Sequence, residues 1–407
     1  MRKITRVIST VVLSGIALAL TAVLSFYILI VAGASPKLQT IWICSAMRTM
    51  SHKYLATVFF TEEYIDKVMR ANEIDDTGYD SEILDFGKNE FESSLPGAAA
   101  DPGAETNEPI APPETNIENE TVPEQELADT VLPETEKTEP ETETKDTAES
   151  EAQETETAEP DYQAEGYEML EEGLWLKEVS DLTWRGYVML IEDPLRVKLV
   201  DTSQQYVCGE NVMTMTTNAG GVAGMNGGGF TDGANYDSNG GTPAGLIIED
   251  SQLVWPLEPD ETVYNMIGIN KGGALVLRHC TAQWAMENDI VSAVSFSPFI
   301  VVNGEGLIKS GSGGWGIAPR TAIGQRKTGE FLFLVVDGRQ ADWSLGCDLD
   351  VLQKVMLEEE AYNAAMLDGG SSTAMVYDGK YVNRPSLGHE RWINNCFVVM
   401  PSVPANP

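Results

Sequence analysis

The stretch Ala364-Ala-Met-Leu-Asp368-Gly-Gly-Ser-Ser-Thr373 ends a short apolar run on a carboxylate and follows it with two glycines and three hydroxyls. An apolar run of that length reads as a buried strand, and Gly-Gly forces a tight turn at its end. Asp368 is therefore expected on a rigid strand tip, beside the backbone of Gly369 and Gly370 and the hydroxyls of Ser371, Ser372 and Thr373. Such a corner suits an anionic or polyhydroxylated ligand. Alone, it reads slightly better as a strand followed by an Asp-Gly hairpin turn. Other stretches add chemistry. Phe331-Leu-Phe-Leu-Val-Val336 is a second apolar run ending on a carboxylate, in Asp337-Gly-Arg339, and two such strand ends suggest a shared crevice. Ala318-Pro-Arg320-Thr321 contributes a cation and a hydroxyl. Met225-Asn226-Gly-Gly228-Gly-Phe230 offers an amide and a closely approachable backbone.

The order Asn-Gly-x-x-Phe, Pro-Arg-Thr-Ala-Ile-Gly, Asp-Gly-Arg and Leu-Asp-Gly-Gly-Ser-Ser-Thr resembles the phosphodiester glycosidase family, over about residues 167–400. Two more stretches fit it: Ser297-Pro-Phe-Ile-Val-Val-Asn303-Gly304, and Asn383-Arg384-Pro385 followed by Glu390-Arg391. One departure is Ser371, which stands where many members carry a third glycine.

The resemblance implies a hydrolase that cleaves the bond between an anomeric carbon and a phosphodiester oxygen, releasing a sugar and a phosphomonoester. A phosphate leaves readily, its second pKa being near ~6, so strong general-acid help matters less than neutralising charge and supporting an oxocarbenium-like sugar. On this reading Asp368 faces the anomeric carbon as nucleophile or base. Asp337 is the second carboxylate, activating water or orienting Arg339. Arg320 and Arg339 are bidentate phosphate clamps. Asn226, Thr321 and the Gly228 backbone hold sugar hydroxyls or phosphate oxygens. Ser371, Ser372 and Thr373 donate to the ligand or cap the turn. Arg384, Glu390 and Arg391 close the pocket, with Glu390 a spare acid. Trp315 stacks on a sugar ring or packs in the core. Expected substrates are sugar-1-phosphodiesters of surface polymers or exopolysaccharide. The alternative is a non-catalytic carbohydrate- or wall-binding module of the same fold.

These groups need a framework. Leu246–Ile248, Ala274–Leu277, Phe299–Val302, Phe331–Val336, Ala364–Leu367 and Phe397–Met400 read as strands. Asp378-Gly379 reads as a hairpin turn between two short ones. Asp348 can cap a helix with a Leu349, Leu352, Val355, Met356 stripe. That helix joins the Asp337 strand to the Asp368 strand, so a parallel crossover would bring both carboxylates to one edge. The expectation is an α+β domain, residues 166–407, built on a twisted, partly parallel mixed sheet with packed helices.

Upstream, Val7–Ala34 is almost wholly apolar, long enough to span a bilayer. Arg2, Lys3 and Arg6 precede it, so residues 1–35 read as a cytoplasmic tip and a single signal-anchor that leaves the rest outside the cell membrane. Residues 36–93 read as a membrane-proximal, helical stem, with a helix start at Thr61-Glu-Glu63. Residues 94–165 are rich in Glu, Thr and Pro. From Asp101 to Glu165 there are 22 Asp and Glu against two Lys, a net of −20 within a formal −37 for the chain. Such a stretch cannot bury enough apolar surface to offset its chain entropy and is expected to be a disordered linker, whether a spacer or a solvated connection of no set length.

The acidic balance excludes a nucleic-acid partner, since nothing forms a basic groove. Five cysteines show no Cys-x-x-Cys pair, and three histidines show no zinc spacing. The cysteines read mostly as small buried residues. No cofactor is required; a calcium ion on clustered aspartates is left open, without a diagnostic ligand spacing.

Overall fold

The computed structural model describes residues 2–48, 52–86, 160–232, 238–309 and 311–402. Helix α1 (Arg2–Phe26) runs on through a π-helical turn to Val31. Its part Thr10–Val31, with mean hydropathy 2.3, is long and apolar enough to cross a membrane. Three short helices follow: α2 (Pro36–Arg48), α3 (Tyr54–Thr57) and α4 (Glu62–Ala71). They close over Ile43, Ala46, Ala56 and Ile65. Thr61 caps α4 as expected, its hydroxyl accepting from the Tyr64 N–H at 3.3 Å.

Among the described residues, strands β1 to β18 form three sheets. The first has the order β1 (Glu168–Glu171), β2 (Leu174–Ser180), β3 (Arg185–Ile191), β14 (Phe331–Val336), β13 (Arg320–Arg326), β15 (Ala361–Met366), β11 (Phe299–Val302), β12 (Glu305–Gly306). The second runs β7 (Gln252–Trp255), β6 (Ile247–Glu249), β10 (Ile290–Ser295), β8 (Tyr264–Asn270), β9 (Leu275–Cys280). The third runs β17 (Lys380–Tyr381), β16 (Met375–Tyr377), β5 (Ala223–Asn226), β18 (Asn395–Val399), β4 (Val197–Asp201).

The layers follow from alternation along each strand. In β14, Phe331, Phe333 and Val335 enter a core shared by all three sheets. Leu332, Leu334 and Val336 enter a second core beneath α7 (Leu349–Glu358), whose stripe of Leu349, Leu352, Val355 and Met356 is buried there. Asp348 caps α7 by accepting from the Val351 N–H at 3.1 Å. Helix α6 (Ala282–Glu287) covers the outer face of the second sheet, and α5 (Val212–Asn218) that of the third.

The mixed α+β character is as expected, but the partly parallel sheet is not: every paired strand is antiparallel to its neighbours. An unbroken apolar run reports burial on both faces, and here two antiparallel layers and a helix provide it. The crossover through α7 still joins strands of the same direction. It passes over β13, which lies between β14 and β15 and runs against both, with Arg320 opposite Val336 and Ala322 opposite Met366. Asp337, Arg320 and Asp368 therefore reach the same edge.

The stem is not a detached stalk. Ser45 Oγ accepts from the Ile317 N–H at 2.9 Å. Residues 72–86 form a strap: Asp76 Oδ2 accepts from Asn265 Nδ2 at 2.9 Å and from the Phe299 N–H at 3.0 Å. Ser81 bonds Leu277 through both its N–H and its hydroxyl. Phe86 reaches the β13–β14 turn, 3.4 Å from a Cβ built on Gly329. The expected acidic linker falls mostly on residues 87–159, outside the described residues. Its end at residue 165 needs moving. Tyr162, the stretch's aromatic, is buried in the second core and donates to Glu330 at 2.9 Å, while Glu165 pairs with Arg326 at 2.7 Å.

Candidate active site

Asp368 stands just past β15, where its N–H donates to the Gly227 carbonyl and its own carbonyl accepts from Asn226 Nδ2 at 2.6 Å. Asn226 Oδ1 in turn accepts from Thr321 Oγ1 at 2.9 Å and the Ala374 N–H at 3.1 Å, and Thr321 meets the Thr373 hydroxyl at 3.2 Å. Asn226, Thr321 and Thr373 are thus a buried network under the strand tip, tying it to β5 and β13. The Gly228 N–H is likewise occupied, donating to Asn395 Oδ1 at 2.7 Å. These groups hold the corner; their polar atoms are spent inside the protein.

Past the tip, Gly370 to Ser372 make one 3-10 turn, with Gly370 at φ 64°. Positive φ strains any residue with a Cβ, so the glycine suits the turn. A Cβ there would also sit 3.2 Å from the Arg339 guanidinium. Ser371 on this turn is half-buried. The Ser372 hydroxyl and the Gly369 N–H bond the Asp368 carboxylate and favour its charge, as does Arg391; desolvation outweighs them, with Asp232 adding to the rise, and pushes its pKa up to about 6.

Two arginines face this carboxylate. Arg339, itself at φ 61°, feels the charge of Asp368 while burial lowers its own pKa. No hydrogen bond holds its guanidinium among the described residues. Arg391 is ion-paired with Asp232 and lies over the Phe230 ring at 4.7 Å.

The other expected site residues are engaged in other contacts. Both oxygens of Asp337 are taken up: Asn383 Nδ2 donates at 2.9 Å, Trp343 Nε1 at 2.7 Å, and the Arg384 N–H at 3.0 and 3.2 Å. Arg320 is buried, its guanidinium donating to the carbonyls of Trp315, Gly316 and Cys347, and burial lowers its pKa to about 10. Arg384 is exposed, 3.6 Å from Asp342. Glu390 is buried against the start of α5, accepting from the Met213 N–H at 3.4 Å; desolvation pushes its pKa up to about 7.

Asp232 was not singled out from the sequence. Its only signal is its position two residues past the Asn226–Phe230 loop; the pairing with Arg391 is made by the fold. Beside that loop opens a cleft of about 370 Å³ lined by Tyr264, Asn265, Phe296 and Trp315, among others. Its wall meets the Asn226–Phe230 loop, since Phe296 packs 3.2 Å from a Cβ built on Gly229. Among the described residues no group of three or more His, Cys, Asp or Glu side chains is placed to hold a metal ion.

Comparison with known proteins bears on this edge. A family model described as phosphodiester glycosidase matches residues 219–400, a span that contains Asn226, Asp232, Arg339, Asp368 and Arg391. The chain is 42% identical over 73 residues to the SPbeta prophage-derived uncharacterized protein YomE of Bacillus subtilis (strain 168), which is 18% of this chain and 11% of that protein. The chain thus spans about a tenth of the length of that relative. A solved structure of the zebrafish N-acetylglucosamine-1-phosphodiester alpha-N-acetylglucosaminidase catalytic domain, auto-inhibited by its pro-peptide, is similar at 25% identity and TM-score 0.47. It covers 56% of this chain and 82% of that one. A structure from Synechocystis is similar at 13% identity and TM-score 0.39, covering 56% and 62%. The match to the phosphodiester glycosidase family model therefore spans the whole of this corner, from the Asn226 loop to Arg391.

Proposed function

We propose that the chain is an extracytoplasmic hydrolase that cleaves the glycosidic bond of sugar-1-phosphodiesters. The observation that supports it best is a carboxylate of raised pKa facing two arginines at an edge otherwise saturated by internal hydrogen bonds. In this reading Asp368 acts at the anomeric carbon, as nucleophile or as base for water. Arg339 and Arg391 take the phosphate, and Asp232 orients Arg391. Water adds across the bond: the anomeric carbon gains its oxygen, and the phosphate oxygen keeps the bonding pair and leaves as a phosphomonoester. Asp337 and Arg320 act as posts that position the loops carrying Arg339 and Trp315. No divalent ion takes part, because the arginines supply the positive charge. The cleft with Phe296 and Trp315 receives the sugar, whose apolar face stacks on aromatic rings.

The test is sugar release by the full chain in detergent from glucose, galactose and N-acetylglucosamine 1-phosphodiesters, with and without EDTA. Asp368→Asn is expected to lose turnover by about 10²–10⁴-fold. EDTA should leave the rate unchanged. Equal release by the native chain and Asp368→Asn would remove Asp368 from the chemistry. Binding of a diester by both without any release would make the domain a glycan-binding module.

A further inference from the structure

From the way the stem meets the cleft, we propose that the substrate is carried on a membrane lipid: a sugar-1-phosphodiester whose aglycone is embedded in the bilayer. This rests on the glycosidase reading above and on Thr10–Val31 as a membrane span.

The wall of the cleft is backed by the stem. Trp315 lines the cleft, and Arg48 at the end of α2 lies over its ring at 4.5 Å while donating to the Gly314 carbonyl at 3.4 Å. Gly316, at φ 64°, lets the loop touch helix α2 backbone to backbone; a Cβ there would lie 2.4 Å from Ser45 Cα. The loop is then clamped from the other side by Arg320. The strap continues the same wall, since Asp76 holds Asn265, another cleft residue.

The other end of the stem is fixed to the span. Gln39 Nε2 donates to the Ile30 carbonyl at 2.7 Å, and the Phe26 ring packs on Trp42 at 4.8 Å and on Phe59 at 5.4 Å. Tyr54, Val58 and Phe59 are exposed beside this junction, as side chains seated at a lipid–water interface are. Helix α2 has 13 residues, so it reaches about 20 Å from the span to the cleft wall. Helix α2 itself bridges the two, joined to the span through residues 32–35. A site held this close to the bilayer meets lipid-borne groups at high effective concentration and meets distant polymer seldom.

The experiment places the full chain in phosphatidylglycerol–phosphatidylethanolamine vesicles. It compares a hexadecyl sugar-1-phosphodiester in the same vesicles with the water-soluble methyl diester. The native chain should favour the embedded ester by about tenfold. A variant with a 20-residue Gly/Ser insert after Ala34 breaks the Gln39–Ile30 and Phe26–Trp42 contacts and lifts the intact site from the surface. It should lose that preference and keep methyl-ester turnover within about twofold. Equal cleavage of the embedded ester by native and insert chains, or cleavage of the methyl ester alone, would overturn the lipid-borne substrate. Failure of the native chain on both esters would instead take down the glycosidase reading, and this inference with it.

Discussion

Arg320 and Arg339 are the same residue type in two adjoining family motifs, yet the fold gives them opposite work. Arg320 is buried and satisfies three backbone carbonyls; among the described residues the guanidinium of Arg339 has no hydrogen bond, and it faces Asp368. Arg320→Met should therefore cost stability, about 3 kcal/mol from carbonyls left unpaired, seen as a lower thermal midpoint. Arg339→Met should leave the midpoint nearly unchanged and lower turnover. Similar midpoints for the two variants would undo this division of roles. Asp368 carries a second consequence. Its pKa is raised from 3.8 to about 6, so the folded state holds a proton over that window which the unfolded state has released. Stability then falls as pH rises from about 4 to 6, by up to about 3 kcal/mol, and stays lower above it. Asp368→Asn removes the effect: denaturant unfolding should show the inactive variant more stable than native at pH 8 and equal to it near pH 4. Turnover needs the ionised carboxylate and should rise through about pH 6.

The strand order explains how motifs far apart in the chain become one site. Strands β14 and β15 share a direction because each pairs antiparallel with β13, and the crossover helix α7 spans the gap. The apolar runs, the Asp348 cap and the Asp378-Gly379 turn were legible because each is set by neighbours in the chain: burial on two faces, a helix start, and residues that accept positive φ, here 46° and 66°. The strand between them was not, because strand neighbours are chosen by long-range pairing. The same reason hid the stem's contact with the Trp315 loop. Ser45 and Gly316 are complementary only once both are folded.

The described residues on either side of 87–159 meet at one place. Phe86 packs by Gly329, and Tyr162 and Glu165 bind Glu330 and Arg326 of the same turn. What joins the span to the sheets is the stem. Replacing 87–159 with about ten Gly/Ser residues should keep the activity of the full chain. It should also stabilise the domain by about 1.5–2 kcal/mol, because a shorter loop loses less entropy on closing, measurable by urea unfolding. Loss of folding on that replacement would mean the two anchors are not held together as described.

The sequence alone was enough for the apolar span, the longest apolar strands, the capped helix and the residue types of a charged, glycine-rich corner, and its motif order carried the family resemblance. All of these are encoded locally, in composition, periodicity and turn chemistry. The contacts decided the roles: that Asp337 and Arg320 spend their hydrogen bonds inside the protein, that Asp232 partners Arg391 across the chain, and that the stem backs the cleft. A side chain's task depends on which polar groups reach it and how much water is left beside it, and both are set only when distant segments pack.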